Sequence, residues 1–204
     1  MSESLKAVVL DAMGVIYSVG DDVRDLLCPF IAEKGGSRHA LKIEELYRSA
    51  SLGKMSAFEF WETVGVAPEL EDEYLQRHNL MDGLIDFLGA IRLRGYKTWC
   101  LSNDLSEWSR KLRGRFALDK YIHGFVVSGD MGVRKPDRAI FEHLLSRLGT
   151  SPSEVMFVDD QQKNLDSAAV LGFETVLFRP AASNSADETH KVAMTFDEIL
   201  LLLP

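Results

Sequence analysis

The chain has 204 residues, a formal net charge of −8, 46% hydrophobic and 26% charged residues, enough apolar material for one domain with an insertion or two small ones. The acidic balance excludes a dedicated surface for a phosphate backbone, which calls for clustered Lys and Arg, so no nucleic-acid partner is expected. No run approaches the roughly 18 apolar residues that span a bilayer, and MSESLKAVVLDAMG lacks the basic-then-apolar order of a signal peptide, so no membrane partner is expected either.

In chain order, the first element is the apolar run Leu5–Leu10, ending at Asp11 and read as a buried strand. Residues 17–84 carry helical signals alone: one stripe of Val23, Leu26, Leu27, Phe30 and Ile31, another of Ile43, Leu46, Tyr47 and Ala50, and a capping box at Ser56-Ala57-Phe58-Glu59. A second strand, Thr98–Leu101, ends at Ser102-Asn103, and a helix starts near Ser106; its Arg110, Lys111, Arg113 and Arg115 read as a solvated face. Phe125–Val127 is a third strand. Residues 137–148 form a helix stopped by Gly149, and Ser151–Glu154 a short capped turn. Val155–Val158 ends at Asp159-Asp160, a helix covers 162–171, and Thr175–Phe178 is the fifth strand. Residues 181–191 read as a mobile polar loop, and Thr195–Glu198 caps a final helix.

Strands that alternate with helices and are apolar on both faces predict an α/β fold with a doubly wound parallel sheet. The helical stretch breaks the alternation. It predicts an all-helical cap at 17–84 inserted into a core of residues 1–16 and 85–204, placed to exclude water and select substrate. In such sheets ligands bind outside the carboxyl ends of the strands, where Asp11, Ser102-Asn103 and Asp159-Asp160 all lie. Cys28 and Cys100 are far apart and outside any CxxC, so a reducing, cytoplasmic location is expected.

Asp11, followed by Gly14, is a candidate nucleophile, although an Asp at a strand end also serves as a turn residue. Ser102 and Asn103 can hydrogen-bond phosphate oxygens or simply cap the next helix. Lys135, ahead of Pro136-Asp137, can reach back to the crevice and hold two carboxylates together. Asp159 and Asp160 repel each other unless a cation compensates, and Mg²⁺ takes one or two carboxylates in this way; Asn164 lies one helical turn beyond. Helix capping is the plainer role for the two acids.

In order, LDAMGVIY, LSND, GVRKPDRAIF and FVDDQQKNLDSAAVLGF resemble the four motifs of the haloacid dehalogenase superfamily, with SLGKMSAFEFW similar to a segment of its small helical cap. The resemblance implies a Rossmann-like core, a small phosphorylated metabolite as substrate and Mg²⁺ as cofactor. Asp11 would form an aspartyl-phosphate, and Ser102 and Lys135 would grip the phosphoryl oxygens. Asp160, Asp11 and the Met13 backbone carbonyl would hold Mg²⁺, with Asp159 and Asn164 in support. The family's phosphatases carry a second Asp two positions after the nucleophile as proton donor. Here that position is Met13, and a thioether transfers no proton.

Three readings follow. A phosphatase could use a substrate with a good leaving group or borrow a donor from Tyr17, Asp21 or Asp22. A dehalogenase needs no protonated leaving group, but would require Arg38 or Arg48 as a carboxylate clamp and normally lacks the two motif-four acids. The third is a non-catalytic homologue that binds a phosphorylated ligand or a protein. A phosphonate-cleaving enzyme would need a cap lysine, for which Lys54 is the candidate. The number of subunits is left open.

Overall fold

The computed structural model describes residues 4–180 and 189–204. Six strands form one sheet: β1 (Ala7–Leu10), β2 (Lys97–Ser102), β3 (Gly124–Val127), β4 (Val155–Asp159), β5 (Glu174–Phe178) and β6 (Lys191–Ala193). All pairings are parallel and the order is β3-β2-β1-β4-β5-β6, a doubly wound, Rossmann-like α/β architecture. Alternate residues of β1 serve opposite layers. Val8 and Leu10 pack into one apolar cluster, Ala7 and Val9 into the other. Burial on both faces is why the run is apolar throughout rather than alternating.

Strand order reverses between β1 and β4, the switch point at which such sheets open a crevice. Leu10 is in register with Val158, and the Asp11 N–H donates to the Val158 carbonyl at 2.9 Å. The last residues of β1 and β4 therefore emerge side by side.

Between β1 and β2 lie only helices: α1 (Cys28–Glu33), α2 (Ala40–Ala50), α3 (Ala57–Val64), α4 (Glu71–Leu75) and α5 (Leu84–Leu93). The Ser56–Glu59 capping box that starts α3 is formed, Ser56 Oγ accepting from Glu59 N at 3.2 Å and Glu59 Oε2 from Ser56 N at 2.8 Å. After β2 come α6 (Ser106–Arg115), α7 (Ser128–Met131), α8 (Arg138–Leu148), α9 (Gln162–Val170) and α10 (Phe196–Leu202). No helix of the described residues is long and apolar enough to cross a membrane.

An aromatic seam joins the helical segment to the sheet. Trp108 of α6 lies 5.5 Å from Phe60, 5.4 Å from Trp61 and 5.0 Å from Tyr74, ring centre to ring centre. Both indoles donate to Glu71 Oε2 at 2.9 Å, so the polar edge of each buried ring is satisfied. The basic group on α6 is not a merely solvated face. Lys111 pairs with Glu71 at 2.8 Å and Asp72 at 2.7 Å, and Arg115 donates to the Leu75 and His78 carbonyls at 2.7 and 3.0 Å. Helix periodicity gives the direction of these side chains but not the neighbour they meet.

Most of the expected 181–191 loop, residues 181–188, lies outside the described residues. Its end is a correction: His190 is buried between Thr175 Oγ1 at 2.8 Å and Asp166 Oδ1 at 3.0 Å, and Lys191 opens β6 against β5. A three-residue strand that starts with Lys has no apolar run to announce it. Its pairing comes from the exposed edge of β5.

Candidate active site

Asp11 follows β1 directly and is only 7% exposed. Its Oδ1 accepts from Ala12 N at 2.6 Å and lies 2.7 Å from Lys135 Nζ; Oδ2 has no hydrogen bond among the described residues. Burial, then the charge of Asp159, pushes the Asp11 carboxyl well above its usual range, and Lys135 pulls it back. Below it the chain turns sharply. Tyr17 N donates to the Ala12 carbonyl at 2.8 Å, and Gly14 N to the Tyr17 and Val19 carbonyls at 2.9 and 2.8 Å. Gly14 has φ +77°, and a Cβ there would sit 2.4 Å from Asp160 Oδ2; one on Gly20 would sit 2.9 Å away. Gly14 needs glycine for its φ and its closeness to Asp160, and a side chain at Gly20 would push against the Asp160 carboxylate.

The two motif-four acids differ sharply. Asp159 is fully buried and saturated: Lys135 Nζ at 2.8 Å, Asn164 Nδ2 at 3.0 Å from both carboxylate oxygens, and Gln161 N at 2.7 Å. Asp160 is half-buried and faces the cavity, with one weak contact from Gln161 Nε2 at 3.4 Å. Burial and the Asp159 charge hold its carboxyl up, at about 6. One oxygen from each of Asp11, Asp159 and Asp160 falls within 4.8 Å of the others. Such a cluster is unfavourable without more positive charge than Lys135 alone supplies. Asn164 Oδ1 is buried without a donor, and no backbone N–H among the described residues donates to the Met13 carbonyl. An all-oxygen donor set of this kind fits a hard divalent cation such as Mg²⁺.

Asp11, Lys135, Asp160 and Asn164, with Asp159 buried behind them, line a chamber of about 220 Å³ with Met13, Gly20, Asp21, Asp22 and Ser102. Ser102, the last residue of β2, reaches it as expected. Asn103 lines it too, but its amide is already engaged: Oδ1 accepts from Lys135 N at 2.8 Å and Nδ2 donates to the Lys135 carbonyl at 2.9 Å. Asn103 thus fixes the Lys135 backbone, and Lys135, 3% exposed, is held for Asp11 and Asp159.

Of the donor candidates, Tyr17 is buried against His78 and Phe116 and lines neither chamber, whereas Asp21 and Asp22 line the inner one. Asp22 is buried in the chamber wall. Burial and then Asp21 push its carboxyl to about 7, and Tyr74 donates to it at 3.5 Å. A second chamber of about 590 Å³ shares Asp21, Tyr47, Asn103, Arg134 and Lys163 with the first and adds Arg48. Arg38 and Lys54 line neither. Arg134 and Lys163 were invisible as site residues in the sequence: each adjoins a motif position, and adjacency does not say which way a side chain points.

Residues 5–172 match the model of the haloacid dehalogenase-like hydrolase family, and the chain belongs to that family. It is 27% identical to the (S)-2-haloacid dehalogenase 4A of Burkholderia cepacia over 86% of this chain and 84% of that protein. It is equally 27% identical to the D-ribitol-5-phosphate phosphatase of Bacteroides thetaiotaomicron, over 90% and 94% respectively. In fold it resembles a family enzyme from the same organism, an Asp12Ala mutant in complex with magnesium and inorganic phosphate, with a TM-score of 0.75 at 21% identity over 89% of this chain and 98% of that one.

Proposed function

We propose that the protein is a Mg²⁺-dependent phosphatase acting on a small phosphomonoester in the cytoplasm, with residues 17–84 as a cap over a core of 1–16 and 85–204. The observation that carries this is Asp160: a half-buried carboxylate against glycine backbone, beside a saturated Asp159 and an Asp11 with one oxygen free. That arrangement needs a cation, and displacement of halide does not. The phosphatase relative and the magnesium-bound fold neighbour support it.

Asp11 Oδ2 attacks phosphorus as the bond to the leaving alcohol breaks, giving an aspartyl-phosphate. Lys135 has three N–H donors, two spent on Asp11 and Asp159, which leaves one for a phosphoryl oxygen beside the Ser102 hydroxyl. Asp11, Asp160 and the Met13 carbonyl would hold Mg²⁺, with Asp159 and Asn164 behind them; the ion would offset charge on the phosphoryl group. Asp22 takes the duty that Met13 has lost. It carries a proton near neutral pH, gives it to the leaving alkoxide, and then accepts one from the water that frees Asp11.

The test is phosphate release, with and without Mg²⁺, from an alkyl phosphate by wild type, Asp11→Asn and Met13→Asp. Asp11→Asn should lose on the order of 10⁴-fold or more; an unchanged rate would remove the nucleophile. A dehalogenase is the second reading, favoured by the thioether at Met13 and by the dehalogenase relative. Halide release from 2-chloropropionate without metal would establish it. Phosphate-ligand affinity without any turnover would make the protein a binder.

A further inference from the structure

The outer chamber holds positive charge that this chemistry does not use. Arg48 on α2, Arg134 ahead of Lys135, and Lys163 on α9 line it along with Asp21, Glu44 and Glu45. Arg48 stands one helical turn after Glu44, the spacing at which such pairs form. Yet among the described residues neither Arg48, Arg134 nor Lys163 makes an ion pair. Glu44 and Glu45 are exposed on the rim. Arg134 is half-buried, and Nη1 donates to Ser51 Oγ at 2.5 Å, which aims the guanidinium from the core side toward the end of α2. Burial pulls its proton affinity down, and the like charge of Arg48 does so further, against the opposing pull of Tyr47, Asp22 and Asp104. Two guanidiniums that line one chamber, neither of them in an ion pair among the described residues, are available to an entering oxyanion.

We propose that Arg134, with Arg48 and Lys163, binds a second anionic group of the substrate, a carboxylate or a second phosphoryl, at the opposite end from the phosphoryl group at Asp11; this rests on the phosphatase reading of the inner chamber. The two anion positions adjoin: the chambers share Tyr47, Asn103, Arg134 and Lys135. A compact molecule with an anion at each end fits both, so the substrate class is a small phosphorylated acid or a bisphosphate rather than a neutral polyol phosphate.

The experiment compares 3-phosphoglycerate, 2,3-bisphosphoglycerate and glycerol 3-phosphate. Phosphate release is measured on wild type, Arg134→Gln, Arg134→Lys and the exposed-site variant Arg48→Gln. Binding is measured by calorimetry in the Asp11→Asn background, alone and combined with each arginine change. At least one doubly anionic compound should exceed glycerol 3-phosphate, its identity naming the second anion. Arg134→Gln should cost that compound about 10- to 100-fold, the contribution of a charge-assisted hydrogen bond, and cost glycerol 3-phosphate at least five-fold less. Arg134→Lys should recover part of the loss. Turnover with equal losses on all three compounds overturns the anion site and leaves the phosphatase reading standing. Binding preference lost in Arg134→Gln, with no phosphate released by wild type, keeps the anion site and overturns the phosphatase reading. Absence of both overturns both.

Discussion

On the strand-end wall of the cavity, Lys135 spans Asp11 and Asp159 at 2.7 and 2.8 Å, Asn164 and Gln161 saturate Asp159, and Asn103 ties down the Lys135 backbone. On the outer wall, Arg48 and Lys163 are exposed and in no ion pair among the described residues, and Arg134 donates to the neutral Ser51 hydroxyl. The first wall has traded freedom for position, so its groups stay within a fraction of an ångström of where they act. The second keeps its charges available to whatever enters. Reaction type is therefore written at the strand ends, and selection is written at the rim.

Lys135→Met attacks the fixed wall and should show the largest effect. Stranding two buried carboxylates should lower stability by about 3–5 kcal/mol and reduce turnover to background, read by urea unfolding and phosphate release. A smaller loss would mean that the acids relax without their cation. Next, Asp22→Asn should slow an alkyl phosphate about 10²-fold or more, and p-nitrophenyl phosphate far less, because a good leaving group needs no proton; equal slowing would take the acid–base role from Asp22. Third, Mg²⁺ must displace the proton that Asp160 holds up to about 6. The stabilisation it gives in thermal melts should grow from pH 5 to 7, with affinity falling roughly tenfold per unit below 6. Without Mg²⁺, this raised carboxyl makes stability fall as pH rises from about 4 to 6, and Asp160→Asn lessens that slope by its own share, the raised carboxyls of Asp11 and Asp22 keeping theirs.

The smallest effect comes from His78, away from both walls. It is buried between Tyr17 and Tyr74 with neither ring nitrogen bonded among the described residues, and burial lowers it to about 4. Folded His78 stays neutral while the unfolded chain takes up a proton, so its contribution to stability is lost as pH falls from about 6.5 to 4. His78→Leu should flatten that limb by about 1–2 kcal/mol, separable from the opposite Asp160 slope by the two single variants.

Much of this was legible in the chain because each strand of the centre is a short apolar run ending in a polar residue, and in a doubly wound sheet those ends must meet. Asp11, Ser102 and Asp159-Asp160 came together for that reason. Lys135 needed only the turn before α8. What escaped was anything decided by a partner far away in sequence. Nothing in VDD says that Asp159 will be saturated and Asp160 left half-open; Lys135 and Asn164 take the first, and the glycines at 14 and 20, about 140 residues earlier, lie against the second. Asp22 carries no local sign of its burial, and the ring it meets, Tyr74, lies 52 residues on. The basic group on α6 looked solvated because its acids lie on α4.

The aromatic seam around Trp108 also bears on how molecules pass in and out. Four rings bury roughly 150–250 Å² each. Exposing even a third of that costs about 5–8 kcal/mol at ~25 cal/mol per Å². A conformer with the helical segment swung away from α6 would then hold less than about one molecule in a thousand. The outer chamber adjoins the inner one at Tyr47, Asn103, Arg134 and Lys135 and offers a way in, past Arg48 and Arg134, that leaves the aromatic seam closed. A molecule that enters by that way meets the charges of Arg48 and Arg134 before it reaches Asp11, and its products meet them again on leaving.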